Sequence, residues 1–154
     1  MVFKVNWVVH TVTQSDYSAL IAIWEHAVRA THDFLPEEDI TELKPLILQH
    51  YFDAVDLRCI KDSAGDIIGF CGVHAQNIEM LFVSPDDVNN GVGRALTEYA
   101  IAHQQATKVD VNEQNPKAQG FYQRIGFNVV GRSALDGQGK PYPLLHLSLG
   151  TFQR

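Results

Sequence analysis

Apolar residues recur along this chain with two periods. Residues 8–12 carry strand-forming side chains. Asp16 is followed by Tyr17, Leu20, Ile21, Trp24, Ala27 and Val28, the spacing of one helical face. Ser15 and Asp16 are capping candidates, and the helix is expected to end near Thr31. Pro36, with Glu37 and Glu38 behind it, reads as a second helix start, its acidic residues suited to the positive end of a helix. Leu43, Leu46, Ile47 and Tyr51 give this segment an apolar face, and Pro45 inside it predicts a kink or a break. From Val55 the period changes. Residues 55–60, a turn around Asp62, Gly65 and Asp66, and residues 67–74 read as a β-hairpin. A further strand is expected over 77–83, a helix over 91–105, a short strand over 108–111, a helix over 116–125, and strands over 127–131 and 143–149. The strand-helix-strand unit within 77–112 implies a parallel pair with a right-handed crossover, and the hairpins on either side imply antiparallel neighbours. The expected architecture is α/β: a mixed, mostly antiparallel sheet with helices on both faces. No repeat, low-complexity block or linker marks a boundary, so residues 1–154 read as one domain.

Composition narrows the function classes. Apolar residues make up 45% of the 154, enough for one core. Lys and Arg number 12 against 18 Asp and Glu, a net charge of −6, which argues against the basic footprint of nucleic-acid binding. No run approaches the roughly 18 apolar residues of a membrane span, and the apolar N-terminal stretch is too short for a signal segment. A soluble, cytoplasmic protein is expected, with neither nucleic acid nor membrane as partner. Cys59 and Cys71 form no CxxC. They read as small buried hydrophobes, close across a hairpin and reduced in a cytosol. None of the seven histidines forms HExxH or a ligand cluster, so no metal is expected.

The most informative stretch is the apolar strand ending at Val83, which runs into Asn89, Asn90, Gly91, Val92, Gly93, Arg94 and Ala95. Glycines there allow a close approach to the backbone, and the first-turn N–H groups of the following helix form an anion site. A P-loop would need Lys after its last glycine, and a dinucleotide fingerprint would need glycine at Leu96. Neither is present.

The pattern xxxGxG followed by Arg94, Ala95 and Leu96 resembles the GCN5-related N-acetyltransferases. Further on, Asn112, Asn115, Ala118, Phe121, Tyr122, Gly126 and Phe127 recur at that family's spacing. Residues 30–35, 111–115 and 139–145 are most similar to its small bacterial YjaB-like members. One departure is Val88, where the family usually has Gln or Arg. The resemblance implies that Asn89 to Ala95 hold the pyrophosphate of acetyl-coenzyme A. It also implies that backbone N–H groups among Met80, Leu81, Phe82 and Val83 face the thioester, where two parallel strands splay.

It further implies Tyr122 as the acid that protonates the departing thiolate, and Asn115 as a contact to the pantetheine arm, an orienter of Tyr122, or a helix cap. A general base is expected from Glu79 on the motif strand or from His32 between the first two helices. With side chains alternating, Asn77, Glu79 and Leu81 should share one face. Phe34, His74, Asn77, Tyr142 and His146 are the candidates for the acceptor side. The expected reaction is direct transfer of acetyl to a primary amine in a ternary complex. The acceptor would be a small-molecule amine or a protein lysine, with a homodimer left open. The alternative is a coenzyme A-binding sensor or interaction module with little catalysis.

Overall fold

Seven strands line up in a computed structural model that describes residues 6–31 and 34–150. They are β1 (Val9–Thr11), β2 (Asp56–Lys61), β3 (Ile67–His74), β4 (Asn77–Val83), β5 (Lys108–Asn112), β6 (Phe127–Ser133) and β7 (Leu144–Leu149). Their spatial order is β1-β2-β3-β4-β5-β7-β6, so β7 is inserted between β5 and β6. Every neighbouring pair is antiparallel except β4 and β5. That parallel pair is brief, since only Asn77↔Lys108 and Ile78↔Val109 are in register. Beyond them the two strands part.

Helices α1 (Tyr17–Thr31) and α2 (Glu37–Leu46) cover one face. Their apolar stripe, with Leu20, Trp24, Val28 and Ile40, packs on Leu57, Cys59 and Phe70 of the sheet. Pro36 caps α2, and Glu37, Glu38 and Asp39 fill its first turn. The helix does not continue regularly after Pro45. Residues Ile47–Tyr51 form a single π turn, the adjustment expected where a proline removes a helical N–H. On the opposite face lie α3 (Val92–His103) and α4 (Pro116–Ile125), built on Val92, Leu96, Ala100 and Tyr122. Helix α3 sits close to the sheet because Gly69 lacks a side chain. A Cβ there would come within 2.7 Å of Val92 Cγ1.

Two details correct the expectations. Cys59 and Cys71 lie on adjacent strands, both fully buried and both free, but Cys59 packs in the α1–α2 core and Cys71 in the α3–α4 core. They therefore do not meet. The register of β3 and β4 jumps from Gly72↔Met80 to Val73↔Ile78, which leaves Glu79 as the extra residue of a β-bulge. The bulge resets the alternation, so Leu81 packs with Ile78 in the α3–α4 core and not on the face of Asn77 and Glu79. Among the described residues no helix is long and apolar enough to cross a membrane.

Candidate active site

The divergence of β4 from β5 creates a gap in the middle of the sheet. From Glu79 onward β4 has no ladder partner on its β5 side among the described residues. The backbone polar groups of Met80 to Val83 on that edge are thus open to a ligand. Three groups of residues carry the candidate chemistry.

The first is the turn into α3. Asn89 and Gly91 are both left-handed, with φ of 71° and 83°. Gly91 is the N-cap and so offers no side chain to the helix end, and the first turn holds no acidic residue. Ala95 N–H is the first to bond back, to Gly91 O, which leaves the N–H groups of Val92, Gly93 and Arg94 pointing outward as donors. A Cβ at Gly93 would rest in ordinary contact with Phe121 and Val83, at 3.5 and 3.6 Å. Packing within the chain therefore does not demand glycine at 93. Trp7 Nε1 donates to Asn90 O at 2.9 Å and pins the turn from beyond β1. The Arg94 guanidinium is paired with Glu98 one turn on.

The second group lies on the α3–α4 side, whose core also holds Ile78, Val109 and Val111 of β4 and β5. Tyr122 on α4 is 5% exposed and stacks edge-on against Phe121 and Phe127, with centroids 5.0 and 5.6 Å away. Burial, reinforced by the nearby Cys71 thiol, pushes the phenol well above its ordinary range. It stays protonated at every pH the protein would meet. Among the described residues its hydroxyl makes no hydrogen bond. Asn115 caps α4, its Oδ1 accepting from Ala118 N–H at 3.2 Å, with Pro116 in the first turn.

The third lies on the α1–α2 side, where those helices stop short of β5 and β7. A cleft of about 540 Å³ is lined by His74, Asn77, Glu79, Lys108, Asp110 and His146 among others. Each of the five strands β3, β4, β5, β6 and β7 contributes to it, β6 through Val130. Asn77 Nδ2 donates to Glu79 Oε2 at 2.8 Å, a contact between side chains two residues apart on one face of the strand. Asp110 stands opposite His146 in the ladder, and Nδ1 of His146 lies 2.6 Å from Asp110 Oδ1. Beside the cleft, the loop of residues 134–143 is strapped to α2. Tyr142 donates to Asp39 at 2.5 Å, and Lys140 pairs with Asp39 and Glu42. Those contacts hold the Asp39 carboxyl below the usual carboxylate range, Tyr142 being the main cause. The Tyr142 ring rests 5.7 Å from Phe34.

A sequence description of the acetyltransferase (GNAT) domain matches residues 40–138, more than half of the chain. The chain is also 43% identical over 129 residues to the peptidyl-lysine N-acetyltransferase YjaB of Escherichia coli K12, covering 84% of this chain and 87% of that protein. The chain belongs to the GNAT acetyltransferase family. The solution structure of apo YjaB from Escherichia coli superposes with a TM-score of 0.82 at 38% identity, over 94% of this chain and 98% of that one. A PaiA N-acetyltransferase from Thermoplasma acidophilum, solved in complex with coenzyme A, shares the GNAT fold at a TM-score of 0.70 and 16% identity. The match spans 95% and 100% of the two chains.

Within this GNAT fold the expected site residues fall into separate groups. Met80 to Val83 lie on the β4 edge that β5 leaves unpaired, Asn89 to Ala95 form the turn into α3, and Tyr122 belongs to the core cluster that also holds Leu81 and Val111, while His74, Asn77, Glu79 and His146 line the cleft. Phe34 and Tyr142 lie together at the strap and are not among the cleft residues. His32 lies outside the described residues. Sequence reasoning missed Asp110 and Ser133, the two partners of His146, and Trp7. The signal for Asp110 was present. It is the polar residue between Val109 and Val111, as His146 is between Leu145 and Leu147, and two such strands side by side place both on one face.

Proposed function

We propose that this GNAT protein transfers acetyl from acetyl-coenzyme A directly to a primary amine, in a complex that holds both at once. The observation that carries the reading is the parallel pair that stops after two residue pairs, with Tyr122 in the core on one face of the sheet and the cleft on the other. The cofactor supplies an activated acetyl thioester. The N–H groups of Val92, Gly93 and Arg94 would hold its pyrophosphate, a fit supported by a helix start without cap or carboxylate. Backbone N–H groups of Met80 to Val83 would polarise the carbonyl. Tyr122 would deliver the proton from Oη that the departing sulfur needs. Glu79 and Asp110 make the cleft suited to a cation, so the acceptor is the side-chain amine of a peptidyl lysine or a small amine of like charge. The 43% likeness to a peptidyl-lysine acetyltransferase favours the lysine.

The test pairs calorimetry with a thiol-release assay over lysine peptides, polyamines and neutral amines. Micromolar binding of acetyl-coenzyme A and amine-dependent thiol release are expected. Gly91→Asp, which strains a left-handed residue and adds a charge beside the donors, should weaken binding at least tenfold in a folded protein. Binding without thiol release for any amine would favour a coenzyme A sensor.

A further inference from the structure

Three polar side chains from three neighbouring strands stand in line on the cleft side of the sheet. Asp110 Oδ1 on β5 and His146 Nδ1 on β7 are 2.6 Å apart, and His146 Nε2 is 2.6 Å from Ser133 Oγ on β6. The ladder makes the arrangement possible. Asp110 is directly opposite His146, and Ser133 lies two residues beyond Gly131, the partner of His146 on the other side. Their chemistry then assigns the protons. An ionised carboxylate only accepts, so Nδ1 carries the hydrogen and donates it to Asp110. In the neutral ring Nε2 is then the lone pair, and it accepts from the Ser133 hydroxyl. Asp110 thus sets the tautomer of the neutral form, and Ser133 meets its basic nitrogen.

A purely structural role explains this poorly. Five residue pairs already join β5 to β7, and the Asp110 and His146 side chains are 40% and 35% exposed. A pair that exposed contributes little to stability. The same exposure is what a group needs in order to meet an acceptor.

We propose that His146 is the proton acceptor of the cleft, with Asp110 as its positioning residue and the Ser133 hydroxyl relaying the proton. This inference rests on the acetyl-transfer reading above. The Ser133 hydroxyl proton moves to Nε2 as the acceptor ammonium passes one proton to Ser133 Oγ, leaving a neutral amine, a restored hydroxyl and an imidazolium. Asp110 stabilises that imidazolium, and the Ser133 hydroxyl turns from donor to acceptor of the new Nε2–H. No bond to carbon is made or broken in this step, and the proton leaves to solvent after turnover. The need is quantitative. A lysine amine with a pKa of about 10.4 is neutral in only roughly one molecule in 2,500 at pH 7. The other charged or titratable groups facing the cleft are Lys108 on β5, His74 on β3 and Glu79 on β4.

The experiment measures kcat/KM against pH with a lysine peptide for the wild type, His146→Gln, Asp110→Asn and Ser133→Ala, alongside acetyl-coenzyme A affinity by calorimetry. Loss of a general base costs on the order of 10²-fold or more. His146→Gln should lose about that at pH 7, and the deficit should close as pH rises toward the pKa of the amine itself. Asp110→Asn should lose nearly as much, and Ser133→Ala less, about fivefold, because water can take its place. Affinity for acetyl-coenzyme A should stay within about twofold of wild type throughout. A second readout needs no turnover. Nitrogen-15 NMR of the cofactor-free protein should find His146 protonated at Nδ1, and at Nε2 in Asp110→Asn. Wild-type kcat/KM with an unchanged acidic limb in His146→Gln overturns the proposal and leaves acetyl transfer standing. An Nε2–H tautomer in the wild type overturns it too, even if His146→Gln fails to fold. A wild type that binds acetyl-coenzyme A and acetylates no amine removes both readings.

Discussion

Replacing Tyr122 with Phe separates a proton donor from a packing residue, because the two roles predict opposite signs for stability. The ring is held edge-on by Phe121 and Phe127, and a phenylalanine keeps both contacts. Only the hydroxyl is lost, and it has no hydrogen-bond partner among the described residues. The hydroxyl is not fully shut off from solvent, so it carries only part of the roughly 1–3 kcal/mol that a desolvated, unpartnered hydroxyl costs, and that part returns when it is removed. The expected change is between zero and about 1 kcal/mol of added stability, which for a domain of this size raises Tm by up to about 4 °C. Activity should move the other way. A lost general acid slows the chemical step about 10²-fold, or about 2.7 kcal/mol in the barrier. Affinity for acetyl-coenzyme A should hardly change, since the interaction matters in the transition state. Single-turnover kinetics report chemistry without product release, and a thermal melt on the same sample reports stability. If Tyr122→Phe melts lower and turns over normally, the residue is a core tyrosine whose hydroxyl serves packing, and the acid must be sought elsewhere.

Trp7→Phe removes the hydrogen bond to Asn90 O while leaving a large ring. A bond of this kind contributes about 0.5–1.5 kcal/mol, so acetyl-coenzyme A should bind roughly two- to tenfold more weakly by calorimetry, with kcat unchanged. Asp39→Asn tests the strap. The folded-state pKa of Asp39 is depressed by Tyr142 and then by Lys140, so its contribution is present above the unfolded carboxylate value of about 3.9 and is lost as pH falls through its lower folded value. Urea unfolding should find the variant less stable than wild type at pH 7. The gap should close in strongly acidic buffer, and a gap that grows on acidification would contradict the assignment.

Much of the architecture is legible because helix and strand periods differ so clearly here. The stripe of Leu20, Trp24 and Val28 and the alternation of β7 can be read by eye. What escapes is set by contacts between distant segments. The bulge at Glu79 arises from the pairing of β4 with β3, and it alone decides that Leu81 turns away from Asn77. Strict alternation along β4 contains no trace of it. Asp110, His146 and Ser133 come from three strands, and their meeting depends on β7 lying between β5 and β6. The order of the last two strands along the chain does not declare that placement. Trp7 and Asn90 are 83 positions apart, and no local pattern joins them. The glycine turn was legible for the opposite reason. A left-handed N-cap and a helix start are local demands that Gly91 meets by itself.

The insertion of β7 also sets a schedule for assembly. Strand β5 ends at Asn112 and its antiparallel partner begins only at Leu144, so on a ribosome the exposed edge of β5 waits about a few seconds for residues 144–149 to be made. Until then β6 has no neighbour and the cleft lacks His146. An open strand edge is a template for pairing with other chains, and this protein should be most prone to aggregate during that interval. The same late strand that closes the sheet also completes the candidate proton acceptor, so a nascent chain that has not yet closed its sheet has no base in its cleft.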